Sequence, residues 1–219
     1  MNKLSKRLNQ IYELVDGDII ADVGCDHGKL ALELLKNNKC KFAYVSDISK
    51  DSLQKARDIL VDYGNSEAIC CDGLQGYEGK RVDECIISGM GGEEIMQIIS
   101  SSPIDIDTYI LSPQKNEIRV KQFMLDRGYQ ITFDKIIKDK DKYYHIFKCK
   151  KGASEKNIDI LDLYFGKDSF LSKDGDLEQF IEYEINKVNN ILPNADESKR
   201  AILTDYLQLL EIANKRKEK

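Results

Sequence analysis

Ile19-Ile20-Ala21-Asp22-Val23-Gly24-Cys25-Asp26-His27-Gly28 opens as a short apolar run and closes as a polar loop between two glycines. The run Ile19–Val23 has the length and apolar density of a strand buried on both faces, and the glycines mark a turn out of it. On its N-terminal side, Leu4, Leu8, Ile11, Tyr12 and Val15 repeat at helical spacing within Lys3–Val15, with Ser5, Lys6 and Arg7 on or beside the polar face. Asp16-Gly17-Asp18 ends that helix, and a second one runs from about Gly28 to Lys36. Helix, buried strand, glycine loop and helix are the opening of a βαβ repeat.

The repeat continues along the chain. Phe42–Asp47 reads as a strand, and Ser49 is placed to cap a helix running to about Tyr63, where Gly64-Asn65 stops it. Ala68–Asp72 and Val82–Ser88 read as further strands, and Gly89-Met90-Gly91-Gly92 leads into a helix over Glu93–Ser100. Thr108–Leu111 is a fifth strand, followed by a helix over Asn116–Arg127 that Gly128 ends. Tyr129–Ile137 and Tyr143–Lys150 flank the polar stretch Lys138–Lys142, the pattern of an antiparallel hairpin. Five strands alternating with helices predict a mostly parallel sheet covered on both faces.

Strand signals end near Gly152. Beyond it Leu177, Phe180, Ile181, Ile185, Val188 and Ile191 form one helical stripe, and Ala201, Leu203, Tyr206, Leu210 and Ala213 form another, with Pro193-Asn194 between them. Two helices joined by a short turn predict an antiparallel helical hairpin. The order of elements resembles class I methyltransferases, whose Rossmann-like sheet is mostly parallel and finishes with an antiparallel strand. The expected fold is thus α/β, with that sheet in residues 1–152 and a C-terminal α-helical hairpin in residues 153–219.

Composition removes several classes of protein. Of 219 residues, 42% are hydrophobic and 32% charged, which suits a soluble globular chain. No segment nears the roughly 18 consecutive apolar residues of a membrane span. The N-terminus is charged and has no apolar core of a secretory signal, so a cytoplasmic, monomeric protein with no membrane contact is expected. The six cysteines form no C-x-x-C pair and there are two histidines, so no metal site is expected and the thiols read as small apolar fillers. A net charge of −5 argues against coating nucleic acid by charge alone and leaves local basic patches open.

Ligands of open α/β sheets bind outside the carboxyl ends of the strands. At those ends stand Asp22, Gly24, Asp26 and Gly28, then Asp47, then Asp72-Gly73, then Gly89-Met90-Gly91-Gly92. A dinucleotide fingerprint needs a middle glycine so that pyrophosphate can approach the backbone. Gly24-Cys25-Asp26-His27-Gly28 has no such glycine and offers an acid, which repels pyrophosphate but suits the α-ammonium and sulfonium of S-adenosylmethionine. Asp47, about twenty residues beyond the glycines, suits ribose hydroxyls of either cofactor. Asp72 occupies the place where methyltransferases commonly accept from the adenine amino group.

Leu4-Ser5-Lys6-Arg7-Leu8, Asp22-Val23-Gly24-Cys25-Asp26-His27 and Gly89-Met90-Gly91-Gly92 together resemble the bacterial tRNA (adenine-22-N1)-methyltransferases. The resemblance runs through the whole chain and is strongest in residues 4–30 and 85–129. The chain departs from the family at Cys25, where serine is common, and at Lys29 and Leu30, where a small residue and an aromatic are common. The resemblance implies S-adenosylmethionine as cofactor and tRNA as partner. It implies a cofactor set of Arg7, Asp22, Gly24, Cys25, Asp26, Gly28, Asp47, Ile48, Asp72, Gly73, Gly89 and Met90, and a substrate set of Lys6, Gly91, Gly92, Pro113, Gln114 and Lys115.

Adenine N1 carries an in-plane lone pair, so methyl transfer to it needs alignment and exclusion of water rather than a strong base. Asp26 and His27 are the candidate catalytic residues. Asp26 either stabilises the positive charge that methylation leaves on the base or binds the methionine part of the cofactor. His27 is either a base or substrate contact, or a helix-start residue bonded to backbone. Lys3, Lys6, Arg7, Lys115, Arg119 and Lys121 are candidate phosphate contacts, or solvated helix faces. Three alternatives remain open: an NAD-dependent oxidoreductase, a methyltransferase for another RNA, a protein or a small molecule, and a non-catalytic RNA-binding module.

Overall fold

A computed structural model of the chain describes residues 4–152 and 158–217. Helix α1 (Lys6–Leu14) precedes β1 (Ile19–Val23), α2 (Lys29–Lys36), β2 (Phe42–Asp47), α3 (Lys50–Leu60) and β3 (Ser66–Cys70). The second half of the sheet region has β4 (Glu84–Ser88), α4 (Gly92–Ser100), β5 (Thr108–Ser112), α5 (Glu117–Asp126), β6 (Tyr129–Asp139) and β7 (Lys142–Lys151). Four helices follow: α6 (Ile160–Phe165), α7 (Lys167–Leu171), α8 (Asp176–Ile191) and α9 (Glu197–Lys217).

The seven strands form one sheet in the order β3-β2-β1-β4-β5-β7-β6. Pairings among β1 to β5 are parallel, and β7 enters antiparallel between β5 and β6. The strand order reverses between β1 and β4, so the crevice at that switch point is where a ligand of this sheet binds. The sheet is covered on both faces. Ile11, Leu30, Leu34, Leu53 and Ala56, from the first three helices, pack on one side, and Ile95, Ile98, Val120 and Met124 on the other. This is why β1 and β4 carry apolar residues at successive positions instead of alternating ones.

The hairpin is longer than its apolar pattern predicts. Lys138 and Asp139 pair with Tyr143 and Lys142, which leaves Lys140-Asp141 as a two-residue turn. The polar tip stays extended because other elements bind its backbone and side chains. The Lys138 N–H donates to Asp176, and Asp139 accepts from the Arg7 N–H, each near 3 Å. A third apolar cluster forms around this half of the hairpin, where Ile136 meets Phe165, Leu177, Phe180, Ile181, Val188, Leu210 and Ala213. Helices α8 and α9 are the expected stripes, separated by a single 3-10 turn that contains Pro193. The short helices α6 and α7 were not foreseen, because five or six residues are too few to show a period. The expected boundary at 152/153 borders residues 153–157, which lie outside the described residues, as does Lys3.

Candidate active site at the strand ends

The loop after β1 is fixed from three sides. The N–H groups of Gly24 and Cys25 both donate to the Ser46 carbonyl of β2. Asp47, at the end of β2, accepts from the Asp26 N–H through Oδ2 at 3.2 Å and from the Ser49 N–H through Oδ1 at 2.8 Å. Gly24 has a φ of +71°, a turn conformation that favours glycine, and the flexible end of Met90 lies against the place a Cβ would take. Asp26 itself is left-handed, with φ +51°, a conformation that Asp tolerates better than most residues. Its carboxylate stands out into solvent, 77% exposed.

A cavity of about 250 Å³ opens at this point. Its walls come from the β1 loop (Gly24, Asp26, His27), from Asp22, from Gly89 after β4, from Gln114 after β5, and from Arg7 of α1. The topological switch point thus coincides with the motif loop. Asp22 is almost wholly buried, and burial together with the nearby charge of Asp47 raises its carboxyl to about 7, against the lowering effect of Arg7. Arg7 is held over the ring of Tyr144, 5.0 Å from its centroid, beside Gly89. One small cavity therefore sets a guanidinium against two carboxylates, Asp22 and Asp26.

The remaining candidates fall into three groups. Asp47 and Ile48 at the end of β2, and Asp72 and Gly73 after β3, lie farther along the same edge of the sheet, and Ile48 and Asp72 are exposed. Cys25 lines the cavity but is buried, which pushes its thiol far above the ordinary range. Met90, Gly91, Gly92, Pro113 and Lys115 belong to two neighbouring loops bound to each other: Gln114 N–H donates to the Met90 carbonyl and Gly92 N–H to the Lys115 carbonyl. A Cβ on Gly92 would stand 2.6 Å from that Lys115 oxygen, so packing explains this glycine without a ligand. Gly28, the N-cap of α2, likewise sits against Ala56 of α3.

Three sequence expectations change. His27 does not bond to backbone at the start of α2; its Nε2 lies 3.2 Å from Lys55 Nζ and 3.4 Å from Asp26 Oδ1. Lys121 is no phosphate contact, because it is fully buried in an ion pair with Asp134 at 2.7 Å and also donates to the Leu163 carbonyl. Lys6 is engaged too: its ammonium meets the buried carboxylate of Asp176 at 2.6 Å and ties α1 to α8. Arg119 pairs with Glu93. Sequence reading missed Lys29, Leu8 and Ser88 in the cavity wall and Tyr144 beneath Arg7. Tyr144 had no local signal, since only the pairing of the hairpin brings it to α1.

Among the described residues no helix is long and apolar enough to cross a membrane, and no cluster of three His, Cys, Asp or Glu could hold a metal ion. A parallel sheet with an inserted antiparallel β7, and a glycine-acid loop at its switch point, define a Rossmann-like methyltransferase. The chain belongs to the methyltransferase-domain family, whose model matches residues 4–147. A Mycoplasma pneumoniae relative, assigned provisionally by its name to the tRNA methyltransferases, is 32% identical over 69% of this chain and 74% of its own length. The tRNA (adenine(22)-N(1))-methyltransferase of Bacillus subtilis is 25% identical over 75% of this chain and 72% of its own. Among solved structures, M. capricolum TrmK in complex with S-adenosyl-homocysteine superposes with a TM-score of 0.87 at 26% identity, covering 97% of this chain and 98% of that one. Streptococcus pneumoniae Sp1610 in complex with S-adenosyl-L-methionine gives 0.84 at 25% identity, covering 96% and 99%.

Proposed function

We propose that the chain transfers a methyl group from S-adenosylmethionine to N1 of adenosine 22 in tRNA. The observation that carries this reading is the cavity at the switch point, where Arg7 faces Asp22 and Asp26 across the motif loop, in a fold shared over nearly its whole length with a TrmK solved with S-adenosyl-homocysteine. The charges fit an amino acid's two ends: Arg7 for a carboxylate, Asp22 and Asp26 for an ammonium. Asp47 has lone pairs left for ribose hydroxyls, and Ile48 offers an exposed apolar side chain beside them. Asp72 is free to accept from an adenine amino group. When bound, S-adenosylmethionine supplies an electrophilic methyl carbon on a positively charged sulfur.

The residues of the chain then do the rest. Asp26, on the open side of the cavity, stabilises the positive charge that spreads over N1 and N6 of the target base. His27 Nε2, at the cavity wall, accepts from Lys55 in one tautomer or donates to Asp26 in the other, and His27 contacts substrate. Gln114 and Pro113 border the path by which the base enters, with Gly91, Gly92 and Lys115 supporting that loop. N1 is occupied in a Watson–Crick pair, so the base must be unpaired or extruded to reach them. Residues 1–152 hold cofactor and target base, and residues 153–219 form a helical domain that engages the RNA. Incubating the protein with labelled S-adenosylmethionine and an unmodified tRNA transcript, then mapping the modified nucleoside, tests the proposal. Label at N1 of adenosine 22 is expected, and absence of transfer to any RNA overturns it.

A further inference from the structure

A cleft of about 410 Å³ lies outside the cofactor cavity, between the hairpin tip and helices α8 and α9. It adjoins that cavity through Gln114, which lines both. A second link is the stacked pair already described, since Arg7 lines the cavity and Tyr144 lines the cleft. An RNA whose target base reaches the cofactor cavity therefore has this cleft beside it.

The cleft is lined with rings. Tyr143, Phe180 and Tyr183 form a contiguous group, with Tyr143 centred 5.3 Å from Phe180 and 5.4 Å from Tyr183. Tyr183 is half exposed, whereas Phe180 is buried. Lys187, also half exposed, lies near the Tyr183 ring at 5.7 Å, and Lys142 at the hairpin tip is exposed. The outer part thus offers an aromatic surface beside Lys142 and Lys187, with Asp141 on the same rim. The inner part offers acceptors: the buried Glu184 carboxylate pairs with Lys187 and accepts from Tyr206, and Glu117 stands 3.7 Å from His145 Nε2, beyond hydrogen-bond reach. Burial holds His145 uncharged, well below its usual range. Its ring and the Glu117 carboxylate keep hydrogen-bonding capacity that the protein does not use.

A flat aromatic face, neighbouring ammonium groups and interior carboxylates are what a nucleotide asks for: stacking for the base, cations for the phosphate, acceptors for ring and exocyclic N–H groups. We propose that this cleft is a second nucleobase pocket, which takes up an unpaired base of the RNA next to the one in the cofactor cavity. The proposal rests on the reading that the substrate is tRNA. Bases with an exocyclic amine (adenine, guanine and cytosine) suit the carboxylates, and uracil suits them least. Holding a flanking base would keep the strand open while the target base is out of its stack.

The test is a two-by-two cycle of binding by fluorescence anisotropy, with an unmodified tRNA transcript and the same RNA made abasic at the nucleotides flanking the target. Wild type is compared with Tyr183→Ala, which removes a half-exposed ring, and with Tyr183→Phe, which keeps the stacking face. Tyr183→Ala is expected to weaken binding of intact tRNA about tenfold, while Tyr183→Phe stays within twofold. The abasic RNA should lose a similar factor with wild type and no further factor with Tyr183→Ala. S-adenosyl-homocysteine affinity by calorimetry should be the same for all three proteins. Unchanged tRNA affinity in Tyr183→Ala, or losses that simply add, overturns the proposal. A dimer that disappears in Tyr183→Ala, with tRNA affinity unchanged, assigns the cleft to self-association instead. Because binding is read without catalysis, failure here is distinct from failure of wild type to methylate tRNA.

Discussion

Asp26 and Asp22 lie four residues apart at the mouth and floor of one cavity, and their environments separate them. Asp26 is exposed and left-handed, so its carboxylate is free to face a substrate. Asparagine adopts the same backbone conformation, which makes Asp26→Asn a test of charge alone. The expected result is a fall in kcat on the order of 10²-fold with a much smaller loss of cofactor affinity, from steady-state kinetics and calorimetry. An equal loss in both would assign Asp26 to cofactor binding only. Asp22 is buried, and its carboxyl is raised to about 7. An acid raised on folding contributes stability that is complete at low pH and is lost as pH climbs from about 4 to about 7. Asp22→Asn, which mimics the protonated acid, should therefore match wild type in stability near pH 3, below both the unfolded and the folded pKa. At pH 8 it should be the more stable protein, by an amount on the order of 4 kcal/mol at most, with a correspondingly higher Tm. Equal Tm differences at both pH values would show that Asp22 carries no such burden.

At the scale of elements, the parallel part of the sheet was legible because its strands are runs of apolar residues closed by glycine or an acid, or by Ser112-Pro113 at β5. The observed ends differ from the reading by a few residues, as at β3, which spans Ser66–Cys70 rather than Ala68–Asp72. The hairpin was legible as a hairpin but not in its length, since Lys138 and Asp139 are held extended by Asp176 and Arg7 from distant parts of the chain. Lys121 is the plainest misreading. It belongs to α5, a helix whose polar residues read as a solvated face, yet it is sealed beneath α6 against Asp134 of β6. Removing one partner of a buried pair leaves an uncompensated charge. Lys121→Ala should cost about 3–5 kcal/mol in denaturant unfolding, whereas Lys121→Met with Asp134→Leu should recover most of that loss. A cost below about 1 kcal/mol for the single variant would contradict the burial.

For the whole molecule, a net charge of −5 means that any RNA affinity comes from local clusters. Lys29, Lys36 and Lys55 line a groove that meets the cofactor cavity at His27, and Lys142 and Lys187 border the cleft on its other side. With about four phosphates contacted, log affinity for tRNA should fall against log salt with a slope of about −3, and S-adenosylmethionine affinity should barely change. A flat response for tRNA would remove these lysines from the interface.

The loop Asp22–Gly28 was decisive on its own because its constraints are local: a strand end, two glycines at a turn, and acids whose spacing follows the chain. The repeat of strand and helix fixed the sheet for the same reason. Tertiary structure alone decided that β7 enters between β5 and β6, that Tyr144 supports Arg7, that Lys6 pairs with Asp176, and that Lys121 is buried with its charge inside the protein. It also created the cleft of Tyr183 and His145, whose walls come from residues far apart in sequence. Periodicity reports which face of an element is buried. It carries no information about which distant side chain will meet that face, and those meetings set the fate of each charge.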